Sequence, residues 1–299
     1  KIIKHFLKLQ LLVLSYDSYN SYYHCIEQMK IFKNKNKLQK EINNIKNISF
    51  VPTMGGLHKG HISLIKKSKT FKGKILVTIF VNPKQFNKEN DFKSYPRTIE
   101  KDIIILRNLK IDYVYLPSYK DIYSFKPKKK VFLDKFSKKL CGIYRSGHFE
   151  GVINVINRFL EIIKPKYIFL GIKDFQQLYL ITKHIKIRKI KTKVITCKTI
   201  REKNGIACST RNNNLNNNHI NIASKIYHYL KIKKKLIKLN INNFKYKKLN
   251  IDLINLGLDK IDYVEIYNLN TLKKPKRKKE NFRIFIAYYL NKIRLIDNI

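Results

Sequence analysis

The chain is 299 residues long, room for one large domain or two modest ones, and its 44% hydrophobic and 12% aromatic content is that of a globular protein with a core. A formal charge of +44, from 64 Lys and Arg against 20 Asp and Glu, taken alone points to a nucleic acid or an anionic membrane. Only ten of the basic residues are Arg, and the lysines are scattered among Asn and Ile, so the charge reads as a solvated surface set by composition, without a specific nucleic-acid partner.

In chain order, residues 1–28 stand apart. FLKLQLLVL (6–14) is a weak apolar segment broken by Lys8 and Gln10, and a Tyr-rich polar stretch follows it. It has neither a small-residue cleavage site nor an Arg-rich amphipathic pattern, so the expectation is an extension outside the fold, with the regular pattern starting at Met29. From there, ISFVPT (48–53), ILVTIFV (75–81), YVYLP (113–117), KYIFLG (166–171) and KVITCKTI (193–200) read as strands buried on both faces. Helical periods lie between them. One covers 98–110. Another covers 151–165, with Val152, Val155, Ile156, Phe159, Leu160 and Ile163 on one face and Pro165 as its stop. This alternation predicts an α/β fold over 29–199, a parallel doubly wound sheet with helices on both faces. Residues 200–299 read as a smaller α+β domain: a polar turn and a helix over 212–240, then strands within 261–272 and 281–298. The Asn runs 212–214 and 216–218 read as inert loops. No apolar run approaches the about 20 residues that span a bilayer. Cys25, Cys141, Cys197 and Cys208 form no CxxC pair, which argues against a zinc site or disulfide framework and fits a reducing compartment.

Ligands of such sheets bind beyond the carboxyl ends of the strands. Four polar motifs fall there: TMGGLHKGH (53–61), NPKQF (82–86), GIKDFQQ (171–177) and REKNGIACSTRN (201–212). There is no GxxxxGK[ST] and no GxGxxG, so any nucleotide is held in another way. The glycine-rich turn feeds a helix that starts near His61, which offers backbone N–H groups and a positive dipole end to phosphate, with His58 and His61 as imidazole donors beside it. Lys173 can reach phosphate oxygens from a strand end, beside Asp174. Ser209, Thr210 and Arg211 suit the β- and γ-phosphates. Gln85 and Gln177 are neutral donor–acceptor groups suited to a hydroxy acid or an amide.

VPTMGGLHKGH (51–61), FVNPKQF (80–86), YPRT (95–98), GHFEGV (147–152), GIKDFQQL (171–178) and REKNGIACSTRN resemble, in order and spacing, the pantothenate synthetases (pantoate–β-alanine ligases). The resemblance runs from Met29 to Asn298 and takes in DYVEI (262–266) and RLIDN (294–298). It implies a Rossmann-like domain of the HxGH nucleotidyltransferase type, a C-terminal lid domain, a cytoplasmic homodimer and a two-step reaction. In that reaction ATP and pantoate give pantoyl adenylate and pyrophosphate, and β-alanine then displaces AMP, with Mg²⁺ required. It also implies that Met54, Gly55, Gly56, Leu57, His58, Lys59, Gly60 and His61 line the ATP site, completed by Gly171, Ile172, Lys173, Asp174, Ile200, Cys208, Ser209, Thr210 and Arg211. His61 is the implied proton donor, and His58 and Lys173 are catalytic with it. Gln85, Gln177 and Asn82 are the implied pantoate and β-alanine contacts. The family usually has Glu in place of Ile172, Pro in place of Ser146 and Ser in place of Thr210, which keeps the hydroxyl. The HKGH turn alone also fits another HxGH adenylyltransferase, which has no use for FVNPKQF, or a class I aminoacyl-tRNA synthetase, whose anticodon-binding region is not visible. A polyanion-binding protein on the same scaffold is the non-enzymatic alternative.

Overall fold

Six short strands pair in parallel: β1 (Lys30–Phe32), β2 (Ile48–Thr53), β3 (Lys74–Ile79), β4 (Tyr113–Tyr115), β5 (Tyr167–Gly171) and β6 (Lys193–Cys197). The computed structural model describes residues 29–87, 89–239, 246–277 and 280–299, so the expectation for residues 1–28 lies outside the described residues. The five anticipated strands are present. Edge strand β1, only three residues long, was not anticipated.

The strand order is β1-β4-β3-β2-β5-β6. Side chains alternate between two apolar layers, as the two-residue period of a strand requires. Phe50, Leu76, Tyr115 and Ile168 enter one layer with helices α1 (Lys35–Ile42), α4 (His148–Ile163) and α5 (Phe175–Ile187). Val51, Val77, Val114 and Phe169 enter the other with α2 (Lys59–Ser68) and α3 (Ile99–Asn108). The six apolar residues expected on one face of α4 are all buried, and so are Ile153 and Ile162, because the helix is enclosed on nearly every side. It starts three residues earlier than expected, where Gly147 turns with φ 73°, and ends at Lys164, which is left-handed ahead of Pro165.

From β2 the chain steps outward to β3 and β4 on one side, and from β5 to β6 on the other. The switch point therefore lies between β2 and β5, and the crevice beyond their carboxyl ends is where a ligand can enter the sheet.

The C-terminal part is a three-stranded antiparallel sheet, β7 (Lys260–Asn268), β8 (Phe282–Leu290) and β9 (Ile293–Asn298), with helices α6 (Asn217–Leu239) and α7 (Tyr246–Asn255). Phe282, Ile284, Ile286 and Leu290 of β8 pack with Ile226, Leu230, Leu249 and Leu253 of the two helices. Phe285 faces the opposite way and meets Phe175 of α5 at 5.3 Å, joining the two parts. The Asn run 216–218 is not an inert loop: Asn217 begins α6 and the Asn216 side chain accepts from His219 N–H at 2.8 Å, a capping role natural to Asn.

Candidate active site

Beyond Thr53 the chain turns through Gly55 (φ 82°) and Gly56 (φ 62°), a left-handed pair that any side chain would strain. At Gly56 a Cβ would also lie 2.6 Å from Thr210 Cγ2. Asp102 of α3, 1% exposed, accepts from the backbone N–H of Gly56 (2.9 Å) and Leu57 (2.7 Å) and from the Thr98 hydroxyl (3.2 Å), pinning the turn.

The turn delivers His58 as the N-cap of α2. His58 Nδ1 accepts from Gly60 N–H at 3.0 Å, and His61 Nδ1 accepts from His58 N–H at 3.4 Å. Two imidazoles thus take the places that Ser and Glu hold in an ordinary capping box. Since each Nδ1 lone pair is occupied by a backbone N–H, each ring proton sits on Nε2, and both histidines carry an N–H donor at a helix N-terminus. Burial, with Lys173 nearby, lowers His58 to about 4, and burial, with His58 nearby, lowers His61 to about 3. Both rings are neutral at pH 7. A neutral His61 donates a hydrogen bond, and it becomes a proton donor only where bound phosphate raises its pKa.

The crevice at the switch point opens into a cavity of about 320 Å³. Met54, His58, Gly60, His61, Gln85, Gly171, Lys173, Asp174, Gln177, Ile200, Cys208, Ser209, Thr210 and Arg211 all line it. Four loops far apart in sequence therefore meet in one concave space of ligand size. Gly171 ends β5, and the short turn after it carries Lys173, whose ammonium is 3.5 Å from the Asp174 carboxylate. The adjacent glutamines divide their roles. Gln176 is buried and fully engaged, accepting from Cys141 N–H (3.1 Å) and donating to the Phe136 (2.7 Å) and Lys139 (2.6 Å) carbonyls. Gln177 has no hydrogen-bond partner among the described residues and faces the cavity. Gln85 contacts the Met54 sulfur through its amide. Ser209 caps the helical turn of Arg211 (3.3 Å), and the Thr210 hydroxyl donates to the Gly56 carbonyl (3.2 Å), which seats this loop on the glycine turn. Arg211 is 3.4 Å from both carboxylate oxygens of Asp91.

Six expected residues do not line the cavity: Gly55, Gly56, Leu57, Lys59, Ile172 and Asn82. The glycines shape the turn, Leu57 packs on the core beneath α2, and Ile172 packs on the opposite layer. The Lys59 ammonium points away to Glu202, at 2.6 Å. Asn82 is engaged by the protein itself. It is 1% exposed, its amide donates to the Gly151 carbonyl (3.2 Å), and its oxygen accepts from Lys84 N–H (3.2 Å) and the Tyr123 hydroxyl (2.9 Å). Its amide also reaches the Gln85 side-chain oxygen at 3.5 Å, so it holds both the turn and the side chain of Gln85.

Residues that sequence reasoning did not single out also belong here. Asp102 was visible in principle, as an acid one turn before buried Leu106 on an otherwise apolar stripe. Arg145, His148, Tyr263 and Arg294 line the same cavity and come together only through tertiary packing.

A parallel sheet that presents two histidine N–H donors at a helix N-terminus in its switch-point crevice, with a lysine beside them, defines a nucleotidyl-transfer fold of the HxGH type. Residues 26–299 match the family model of pantoate-beta-alanine ligase, and the chain belongs to that family. It is 42% identical over 259 residues to the pantothenate synthetase of Flavobacterium psychrophilum, covering 85% of this chain and 92% of that protein. It is 41% identical over 257 residues to that of Francisella tularensis subsp. mediasiatica, covering 84% and 88%. Among solved structures, the Francisella tularensis pantoate-beta-alanine ligase complexed with beta-gamma ATP and beta-alanine superposes with a TM-score of 0.77 at 39% identity, over 91% of this chain and 97% of that one. The Thermus thermophilus pantothenate synthetase superposes at 0.81 with 26% identity, over 91% and 99%.

Proposed function

We propose that the chain joins pantoate to β-alanine using ATP, through a pantoyl adenylate. A pantoate carboxylate oxygen attacks the α-phosphorus, and pyrophosphate leaves with the P–O bond electrons. The β-alanine nitrogen then attacks the acyl carbon, the acyl–O bond breaks, AMP departs, and the amine proton is released. The observation that carries this reading is the histidine-capped N-terminus of α2, where the His58 and His61 N–H donors adjoin Lys173. Donors fixed in place before reaction stabilise charge as it develops on transferring phosphate. Gln177, without a hydrogen-bond partner among the described residues, and Gln85 supply amides for the hydroxyls and carboxylate of pantoate.

Mg²⁺ enters with the triphosphate as part of the substrate. Among the described residues no group of three or more His, Cys, Asp or Glu could hold it alone, which fits an ion bound mainly through substrate phosphates. Residues 200–299 act as the lid over residues 29–199, the enzyme is a cytoplasmic homodimer, and no helix among the described residues is long and apolar enough to cross a membrane.

The test is pyrophosphate exchange. Labelled pyrophosphate should enter ATP with pantoate and Mg²⁺ present and β-alanine absent, and His61→Ala should slow the exchange by roughly 10²–10³, the scale for losing one preorganised donor. Adding β-alanine should release AMP. Release of ADP and phosphate would mean an acyl-phosphate route, and exchange indifferent to pantoate would mean a different acid.

A further inference from the structure

Three guanidinium groups, Arg145, Arg211 and Arg294, crowd one side of the cavity. Two have a carboxylate partner: Arg211 pairs with Asp91 at 3.4 Å and Arg294 with Asp262 at 2.7 Å. Arg145 has none within ion-pair distance among the described residues. A partly desolvated cation beside two others is costly without an anion of its own, and burial, Arg211 and Arg294 lower Arg145 to about 10 even though Cys141 and the Asp91 carboxylate, which pairs with Arg211, act the other way.

Arg145 is also fixed in direction. His148 Nδ1 lies 2.7 Å from the Gln85 carbonyl, which can only accept, so Nδ1 carries the ring proton. His148 Nε2 therefore holds a lone pair, and Arg145 donates to it at 3.1 Å, with a longer contact to the Gln85 carbonyl at 3.4 Å. The remaining guanidinium N–H groups have no protein acceptor among the described residues and border the cavity. Gln85 stands between two cationic subsites. Its side-chain amide meets Met54 beside the glycine turn, while its carbonyl takes Arg145 and His148. The histidine donors of α2 adjoin Lys173, and Arg145 adjoins Arg211 and Arg294. The carboxylate that is activated must reach the α-phosphate beside Lys173, so it is not the anion for Arg145.

We infer that Arg145, oriented by His148, binds the non-reacting carboxylate of the amine substrate, a short ω-amino acid, and so presents its amine to the acyl adenylate. This inference rests on the ligase reading above. A planar fork on a carboxylate gives both affinity and direction. Arg145 touches substrate, and His148 is a positioning residue.

The experiment compares β-alanine with β-alaninamide, which keeps the amine and replaces the carboxylate by a neutral group. Arg145→Gln should lower kcat/KM for β-alanine by roughly 10–100-fold, mostly through KM, and change that for the amide little, so the preference for the acid collapses. His148→Asn, which can still donate to the Gln85 carbonyl but offers Arg145 no ring acceptor, should lower the preference in the same direction by less. Pantoate-dependent pyrophosphate exchange needs no amine and reports the first step separately. A preference unchanged in Arg145→Gln overturns the inference, and so does a raised KM for ATP or pantoate in exchange, which would make Arg145 a phosphate or pantoate contact. If Arg145→Gln does not fold, Arg145→Lys, which keeps the charge without the fork, is read by the same criteria. If the unmodified protein shows no pantoate-dependent exchange, the ligase reading itself fails and takes the inference with it.

Discussion

Buried His148 and His184 are neutral because burial, and then an arginine beside each, disfavours the charged ring. His184 is 0% exposed. Its Nδ1 accepts from Phe132 N–H at 3.1 Å and its Nε2 donates to Asn157 at 2.9 Å. Burial, and then the nearby Arg188, lowers it to about 4, against an unfolded value near 6.5. Below about pH 6.5 the unfolded chain binds a proton that the folded chain refuses, so this contribution is complete above that pH and is lost as pH falls toward 4. His148, lowered to about 3, acts in the same direction. Unfolding free energy measured by urea titration should fall between pH 7 and pH 5, by up to about 1.4 kcal/mol per pH unit for each such group. His184→Gln should flatten part of that slope. A slope equal to that of the unmodified protein would mean that His184 titrates normally. At this scale the sequence was partly legible. HKGH disclosed a donor pair because its spacing is local. The Arg145–His148–Gln85 cluster did not stand out, because its geometry depends on the approach of a loop 60 residues away. The burial of Asn82 did not show for a related reason: sequence does not reveal which way a polar side chain at a strand end faces.

Among the elements, the contact between α4 and the NPKQF turn is tight and positions a side chain of the site. A Cβ at Gly151 would fall 2.1 Å from the Lys84 carbonyl oxygen and 2.8 Å from Gln85 N, so the helix and the turn can meet only over glycine. Gly151→Ala must push the turn away. It should cost about 1–3 kcal/mol, the usual scale of overpacking, and raise KM for pantoate by displacing Gln85. A variant with unchanged melting temperature and unchanged KM would show that the turn yields freely. The strands and helices themselves were well marked in sequence, because apolar period decides them. Boundaries were less so: α4 starts at His148 because Gly147 can adopt φ 73°, a backbone choice that hydrophobic pattern does not encode. Strand β1, three residues with two exposed, has too few apolar positions to show a period.

In the whole molecule, an ion pair braces the C-terminal part beside the site, and Asn298 joins that part to the parallel domain as Phe285 does. Arg201 grips Asp297 of β9 through two bonds, at 2.6 and 3.0 Å, with both side chains less than one-fifth exposed. The Asn298 amide donates to the carbonyls of Ile172 (2.9 Å) and Lys173 (2.6 Å), the turn that carries the cavity lysine. Breaking a largely buried ion pair from one side leaves an uncompensated charge, so Arg201→Met alone should destabilise by about 3–5 kcal/mol. Arg201→Met combined with Asp297→Leu should recover much of that loss, measured by urea unfolding. A double variant no more stable than the single one would show that the arginine acts through packing on Tyr227, 4.4 Å from its guanidinium carbon, and not through charge. The division into a parallel domain and a smaller α+β part was readable from the change of pattern. Its docking was not, since Asn298 is remote in sequence from the Ile172–Lys173 turn it holds and looks like an ordinary surface polar residue.

The position of Asn298 also sets an order of events during synthesis. A ribosome makes the HKGH turn early and the strand that steadies Lys173 more than a hundred residues later. The parallel sheet can assemble first, because all of its strands precede residue 198. A nascent chain stalled before β9 would therefore hold a formed sheet and an unfinished crevice, in which the Gly171–Asp174 turn lacks its tether. The crevice is thus complete only once β9 has paired and Asn298 holds the turn that carries Lys173.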